Sequence, residues 1–501
     1  MPSAVYVSVV VIATAGLIYE LIAAAAASYL LGDSLTQFST VIGSYLFAMG
    51  IGSYLSRYLR RNLAAWFVQG QILVGLAGGW SAALLFLAFV HTQYFRAILY
   101  GLVGAIGVLV GLEIPLLLRL LRQRLALREL VAHVLSLDYL GALAASILFP
   151  LFLVPRLGLI RTAFAFGLAN VAVGLWSTWI FRQEIVVARF LRAVAVAAML
   201  ILGGGLIAAE QLTAWAEVRL YADEVILARS SPYQRIVLTR AGDDVRLFLN
   251  GHLQFSSRDE YRYHEALIHP ALAAHPDPRR VLVLGGGDGL GLREILKYPA
   301  VRSVTLVDLD PEMTRLFSTH AFLRGLNEGA FADRRVRVVN DDAFVWLDRQ
   351  TDVFDVVIVD LPDPHSFSLG KLYSRSFYRL VRSRLAPGGL ATVQATSPLF
   401  ARRSFWCIVE TIGSAGLLPH PYHVHVPSFG AWGFVLASQT PYQPPRRYPE
   451  GLRFLTVRGT PALFDFPPDM ARVPVEVNRL DNQVLVQYYA EEWRRVFPSS
   501  Y

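Results

Sequence analysis

Four short apolar runs in the C-terminal half of this chain each end in carboxylates. Val281–Leu284 runs into Gly285-Gly-Gly-Asp288-Gly289, and Val304–Val307 into Asp308 and Asp310. Val336–Val339 leads to Asp341 and Asp342 beside Ala343, and Val356–Val359 to Asp360-Leu-Pro-Asp363. A carboxylate can hold an ammonium group, accept its proton, or take ribose hydroxyls. Any one of these acids would serve equally well as a helix N-cap or turn former. Four in series are hard to assign to capping alone, and they imply a ligand with hydroxyls and positive charge.

The elements that must position them are buried parallel strands, because each run is short, apolar and rich in β-branched residues. Their C-terminal ends then share one sheet edge, where open α/β sheets bind ligands. The glycines follow G-x-G-x-G spacing at Gly285, Gly287 and Gly289, with Asp288 inside it. The G-x-G-x-x-G phosphate spacing is absent, which suits a nucleoside without a pyrophosphate. An acid about 20 residues past the turn, here Asp308, typically takes ribose hydroxyls. Upstream, Ile236-Val-Leu and Val245-Arg-Leu-Phe-Leu read as paired strands. The predicted organisation is a small β domain over 213–275, a Rossmann-like doubly wound domain over 276–440, and an extension over 441–501. That extension is rich in Pro and Arg and ends in an amphipathic helix near Val484–Phe497.

Gly285-Gly-Gly-Asp-Gly289 followed by Arg293-Glu294 resembles the signature of the polyamine aminopropyltransferases, the spermidine synthase group. Ser231-Pro-Tyr-Gln234, Leu249-Asn-Gly-His-Leu-Gln254, Asp259-Glu260, Tyr263-His264-Glu265 and His269-Pro270 agree with that family in order and spacing. The resemblance covers roughly residues 225 to 440. It implies transfer of an aminopropyl group from decarboxylated S-adenosylmethionine, a co-substrate, onto an amine, with no permanently bound cofactor. It implies Asp360 as proton acceptor, Asp363 as acceptor-amine ligand and Asp288 as ligand of the donor's ammonium. Gln234 matches the donor-side glutamine, and Tyr263 with His264 the acceptor-side pair. Gly285, Gly287 and Gly289 form the donor turn, Asp308 matches the ribose ligand, and Asp342 with Ala343 the adenine contact. The sequence departs from the family at Leu361-Pro362 and at His365–Tyr373, where Lys371 is gained, which puts putrescine as acceptor in doubt. A cationic donor and acceptor account for an acidic pocket in a chain of net charge +8.

The other half reads as a membrane protein. Hydrophobic residues make up 54% of the chain and charged residues only 17%. Apolar runs long enough for a ~30 Å hydrocarbon core predict about seven spans within 1–212, near 4–31, 38–56, 65–90, 97–118, 136–155, 162–181 and 193–210. Arginines concentrate in alternate loops: Arg57, Arg60 and Arg61; Arg119, Arg122, Arg124 and Arg128; Arg182, Arg189 and Arg192. The positive-inside rule places those loops in the cytoplasm. Seven full crossings would then leave the C-terminal domain outside, while its donor is made inside. A re-entrant span, or a count one off, reconciles the two and gives a multi-pass inner-membrane protein with a cytoplasmic catalytic domain. Glu20, Glu113 and Asp138 stand within the spans, where an ionisable residue is a functional candidate by default.

The implied partners are a small amine and the lipid bilayer, with no nucleic acid and a homodimer left open. No metal site is expected, since His420, His423 and His425 lack acids at ligand spacing. Two other classes compete. A methyltransferase using intact S-adenosylmethionine would share the glycine turn but gain nothing from Asp288 or the Asp360/Asp363 pair. A polyamine transporter or sensor would have no need of Asp360, Gln234 and His264 together.

Overall fold

Apolar residues dominate the N-terminal half at nearly every helical position, and the chain there forms long apolar helices. The computed structural model describes residues 2–31, 34–92, 94–122, 127–212, 215, 221 and 223–496, so Arg124 and Phe497 lie outside the described residues. Two compact units divide at Ala222/Asp223. The first contains α1 (Pro2–Leu31), α2 (Ser34–Leu55), α3 (Leu63–His91), α4 (Phe95–Leu121), α5 (Leu127–Leu148), α6 (Val154–Ile180) and α7 (Ala188–Ile207). Small residues bring these helices together: Gly111 on α4 meets the Met49 backbone of α2, and Gly167 on α6 meets Gly75 on α3.

Six stretches of this unit are long and apolar enough to cross a membrane. The expected spans near 136–155 and 162–181 belong to one helical stretch, Arg128–Ile180. Its two parts are joined through a π-helical turn at Phe149–Leu153. The chain bends inside that stretch at Gly158 (φ 73°, ψ 176°). No polar loop separates the parts, so Pro and Gly in the sequence punctuate the helix without ending the apolar run.

The second unit holds two sheets. β1 (Glu224–Ser230), β2 (Arg235–Ala241), β3 (Asp244–Leu249) and β4 (His252–Ser256) form an antiparallel meander. β5 (Arg280–Gly285), β6 (Ser303–Asp308), β7 (Val336–Asn340), β8 (Phe354–Asp360), β9 (Leu385–Gln394), β10 (Leu418–Val426) and β11 (Gly430–Ser438) form the larger sheet. Its order is β10-β11-β9-β8-β5-β6-β7. The strands from β5 to β9 are parallel, whereas β11 runs antiparallel to β9 and β10 to β11, so the Rossmann-type sheet is mixed. β5 and β8 are buried almost throughout, as their unbroken apolar runs require. The C-terminal segment packs back on this unit and ends in the helix Val484–Val496.

Candidate active site

The strand order reverses at β5, which has β6 on one side and β8 on the other. Such a switch point opens a crevice at the carboxyl ends of the strands. Register places Gly285 beside Asp360 across it. Gly285 turns at φ 83°, and a Cβ there would strike the Asp360 carbonyl oxygen. A Cβ at Gly287 would lie 2.6 Å from Asp308 Oδ2. Instead Gly287 N donates to that oxygen at 3.1 Å, and Asp310 N donates to Oδ1 at 2.8 Å. Gly289 then opens the helix Leu290–Leu296.

Three carboxylates project at this crevice. Asp288 accepts from Leu290 N at 2.9 Å. Asp360 Oδ1 accepts from the Tyr263 hydroxyl at 2.7 Å. Asp363 accepts from Gln394 Nε2 at 3.1 Å, the Thr396 hydroxyl at 2.9 Å and the Tyr489 hydroxyl at 3.1 Å. Burial raises all three. Asp288 reaches about 6, with the charge of His264 opposing burial. Burial likewise lifts Asp308 to about 7, against the amide bonds it accepts.

The cation among them is His264. Burial works against its charged form, yet Glu260, with Nδ1 2.8 Å from Oε2, pulls it up to about 9. Glu260 is held in turn by a two-pronged bond from Arg293, at 3.0 Å on each arm. Arg293 also meets Glu294 at 2.9 Å, and Glu294 meets His269 at 2.9 Å. The Arg293-Glu294 pair therefore acts behind the crevice, fixing the imidazolium through Glu260. The crevice brings three acidic groups and one imidazolium together, an arrangement that favours cationic ligands.

The remaining sequence-predicted residues are placed as follows. Gln234 donates to Asp310 Oδ2 at 2.9 Å, where the Ser231 hydroxyl also donates at 2.7 Å. The Ser231–Gln234 turn is thereby fixed to the end of β6. Asp342 caps the helix Ala343–Arg349, accepting from Phe344 N at 2.8 Å, and its Oδ2 takes Lys371 Nζ at 2.6 Å. Burial opposes that charge, but Lys371 wins and Asp342 is lowered. Of the four strand-end acids, Asp342 is the one whose charge is matched by a lysine. Ala343 is buried as the first residue of its helix. His420 and His423 face Ser438 and the Asp465 carbonyl, away from the crevice.

Sequence reading missed three donors to Asp363. Gln394 ends β9 and Thr396 follows it, so the rule that found the acids, polar residues at the carboxyl end of a buried strand, also marks them. Thr396 is held at φ 59°, a left-handed conformation that costs a β-branched residue about 1–3 kcal/mol. Gln394 Oε1 accepts from Thr396 N at 3.0 Å, and Gly433 N donates to the Thr396 carbonyl at 2.7 Å. Tyr489 comes from the C-terminal helix, 126 positions from Asp363. That helix is anchored by Glu492, which accepts from Ser404 N at 3.0 Å and from its hydroxyl at 2.7 Å.

The family model described as "Spermine/spermidine synthase domain" matches residues 260–446. The chain is 54% identical over 498 residues to a polyamine aminopropyltransferase of Leptospira interrogans serogroup Icterohaemorrhagiae serovar copenhageni, covering 99% of this chain and 100% of that one. It is 57% identical over 498 residues to polyamine aminopropyltransferase 2 of Ralstonia nicotianae, covering 98% of each. It is 44% identical to polyamine aminopropyltransferase 1 of Streptomyces coelicolor, covering 96% of this chain and 93% of that one. A crystal structure of spermidine synthase in complex with the transition state analogue AdoDATO aligns at 27% identity and a TM-score of 0.46, over 49% of this chain and 86% of that one.

Proposed function

We propose that this chain, which belongs to the polyamine aminopropyltransferase family, carries out aminopropyl transfer in the crevice between β5 and β8. Decarboxylated S-adenosylmethionine is the donor, and a primary diamine or polyamine is the acceptor. The observation that carries this reading is that Asp288, Asp360 and Asp363 share the crevice with one cationic side chain, His264.

The roles are those the family resemblance implies, and the positions described above support them. Asp308 takes the donor's ribose hydroxyls. Asp342 and Ala343 border the adenine, with Lys371 orienting Asp342. Asp288 holds the ammonium of the aminopropyl arm, on the Gln234 side. Asp363, with Gln394, Thr396 and Tyr489 around it, holds the far ammonium of the acceptor. Asp360 faces the attacking nitrogen and takes its proton, while Tyr263 fixes the carboxylate. The nitrogen lone pair attacks the methylene next to the sulfonium. The carbon–sulfur bond breaks with its electrons moving to sulfur, and neutral methylthioadenosine leaves. No group need be charged from neutral within the crevice except the nitrogen, whose surplus proton passes to Asp360.

The bundle anchors the enzyme. Six apolar stretches support membrane-spanning helices. With Arg128–Ile180, whose 53 residues exceed one ~30 Å crossing, taken as one crossing and a re-entrant turn at its Gly158 bend, the catalytic unit falls on the side of the Arg57–Arg61 and Arg119–Arg128 segments, the cytoplasmic side by charge. The segment with Arg182, Arg189 and Arg192 is then the exception, and in it Arg192 is engaged by Thr178 at 2.9 Å and stacks over Trp179. A reporter fused at the C-terminus tests this: fluorescent-protein activity is expected, and alkaline-phosphatase activity would reverse the orientation. For the reaction, full-length enzyme is incubated with decarboxylated S-adenosylmethionine and a panel of amines. Methylthioadenosine should appear with at least one primary diamine or polyamine, and its absence with every amine would end this reading.

A further inference from the structure

The bundle holds a carboxylate with no cation against it. Glu113 on α4 is 4% exposed and makes no ion pair among the described residues. Gln71 on α3, fully buried, donates from Nε2 to Glu113 Oε1 at 2.8 Å. The other atom of that amide, Gln71 Oε1, is buried without a partner. Gly174 of α6 packs on Gln71. One turn before it stands Asn170, with both amide atoms buried and unpartnered. Arg119, on the same helix as Glu113, donates instead to the Ser56 and Leu59 carbonyls at 2.8 and 2.6 Å.

A cavity of about 240 Å³ lies beside the carboxylate, walled by Glu113 and by Leu59, Trp66, Leu73, Leu109 and Leu112 among others. It sits toward the end of the bundle where α2 turns into α3. Its chemistry is narrow: the Glu113 acid, the side-chain amide of Gln69, and otherwise apolar walls, with the fully buried Gln71 holding Glu113 without lining the cavity. A hard inorganic cation wants six or more oxygen ligands and does not find them there. A primary ammonium offers three donors on a hydrocarbon stem, which matches the Glu113 acid and the Gln69 amide on the wall of an otherwise apolar cavity. A carboxylate left in such a place with a single amide donor is costly, and a bound ammonium lowers that cost.

We propose that the bundle carries a second amine site, in which Glu113, held by Gln71, takes a primary ammonium while its aliphatic stem lies among the leucines. The site stands apart from the assignment of Asp360 and Asp363. Its ligand has the chemistry of an aliphatic amine, supplied either as a free diamine or as the headgroup of an aminolipid.

The test uses the full chain in phosphatidylcholine nanodiscs, which contain no primary amine, with tritiated putrescine as probe. Glu113→Gln and, separately, the cavity-filling Leu112→Trp should each bind one putrescine fewer per chain than wild type, with turnover within two-fold of wild type, which also shows that both variants fold. Adding phosphatidylethanolamine to the discs separates the sources. Displacement of the Glu113-dependent putrescine assigns the site to an aminolipid, and no displacement assigns it to the free amine. Putrescine binding in both variants equal to that of wild type, or equal displacement by potassium chloride at the putrescine concentration, would overturn the proposal.

Discussion

Two regions of this molecule keep carboxylates away from water, and they support them differently. At the sheet edge each acid has fixed donors: Leu290 N for Asp288, Tyr263 for Asp360, and Gln394, Thr396 and Tyr489 for Asp363. An imidazolium stands among them. In the bundle, Glu113 has one amide donor from Gln71. Dipoles fixed before a substrate arrives need no reorganisation during reaction, and the sheet edge is furnished in that way. A group with one donor and a cavity beside it is furnished for binding. The sheet-edge acids should therefore control turnover, and the bundle acid should not.

The largest expected break is Asp360→Asn, which removes the proton acceptor and should lower kcat by roughly 10²–10⁴-fold, with the melting temperature little changed. Turnover near wild type would end the role given to Asp360. Next comes the acceptor end. Asp363→Asn should raise the KM for the amine about tenfold or more, since it removes a buried charge opposite an ammonium. Tyr489→Phe should raise it by a few-fold and leave the donor KM unchanged, because it removes one neutral donor. Steady-state kinetics with both substrates varied separate these, and an equal rise in both KM values would mark Tyr489 as merely structural.

A pH profile sharpens the donor end. Asp288 must be ionised to hold an ammonium, and burial, opposed by the charge of His264, raises it to about 6. It is charged above that value and neutral below it, so kcat/KM for the donor should fall as pH drops through about 6. Asp288→Asn should have a low kcat/KM and lack that limb. The smallest effect is expected in the bundle, where Glu20→Gln and Glu113→Gln should leave turnover in detergent within about two-fold. A loss comparable to that of Asp360→Asn would show that the bundle takes part in the chemistry.

Much of the sheet edge was legible because its signals are local. An apolar run, a turn and an acid lie within ten residues of one another, and parallel strands bring such units to one edge. Asp288, Asp308, Asp360 and Asp363 could be placed in that way before any coordinates. The same pattern did not separate Asp342 from the others. Its lysine partner lies in a loop 29 positions away, and its cap contacts look in sequence like any Asp before a helix. Tyr489 carries no mark in the sequence, since a tyrosine on an amphipathic helix reads as core packing. The helices of the first unit were legible from hydropathy, and the gap between the expected spans 136–155 and 162–181 contains the Gly158 bend; that no polar loop separates the two parts was not legible.

The central claim is that the crevice is built for a donor that carries an ammonium in place of an amino acid head. Calorimetric titration of the full-length enzyme with decarboxylated and with intact S-adenosylmethionine measures it directly. The account predicts at least tenfold tighter binding of the decarboxylated form, equivalent to about 1.4 kcal/mol or more, and loss of most of that preference in Asp288→Asn. Equal affinity, or a preference for the intact form, would contradict it.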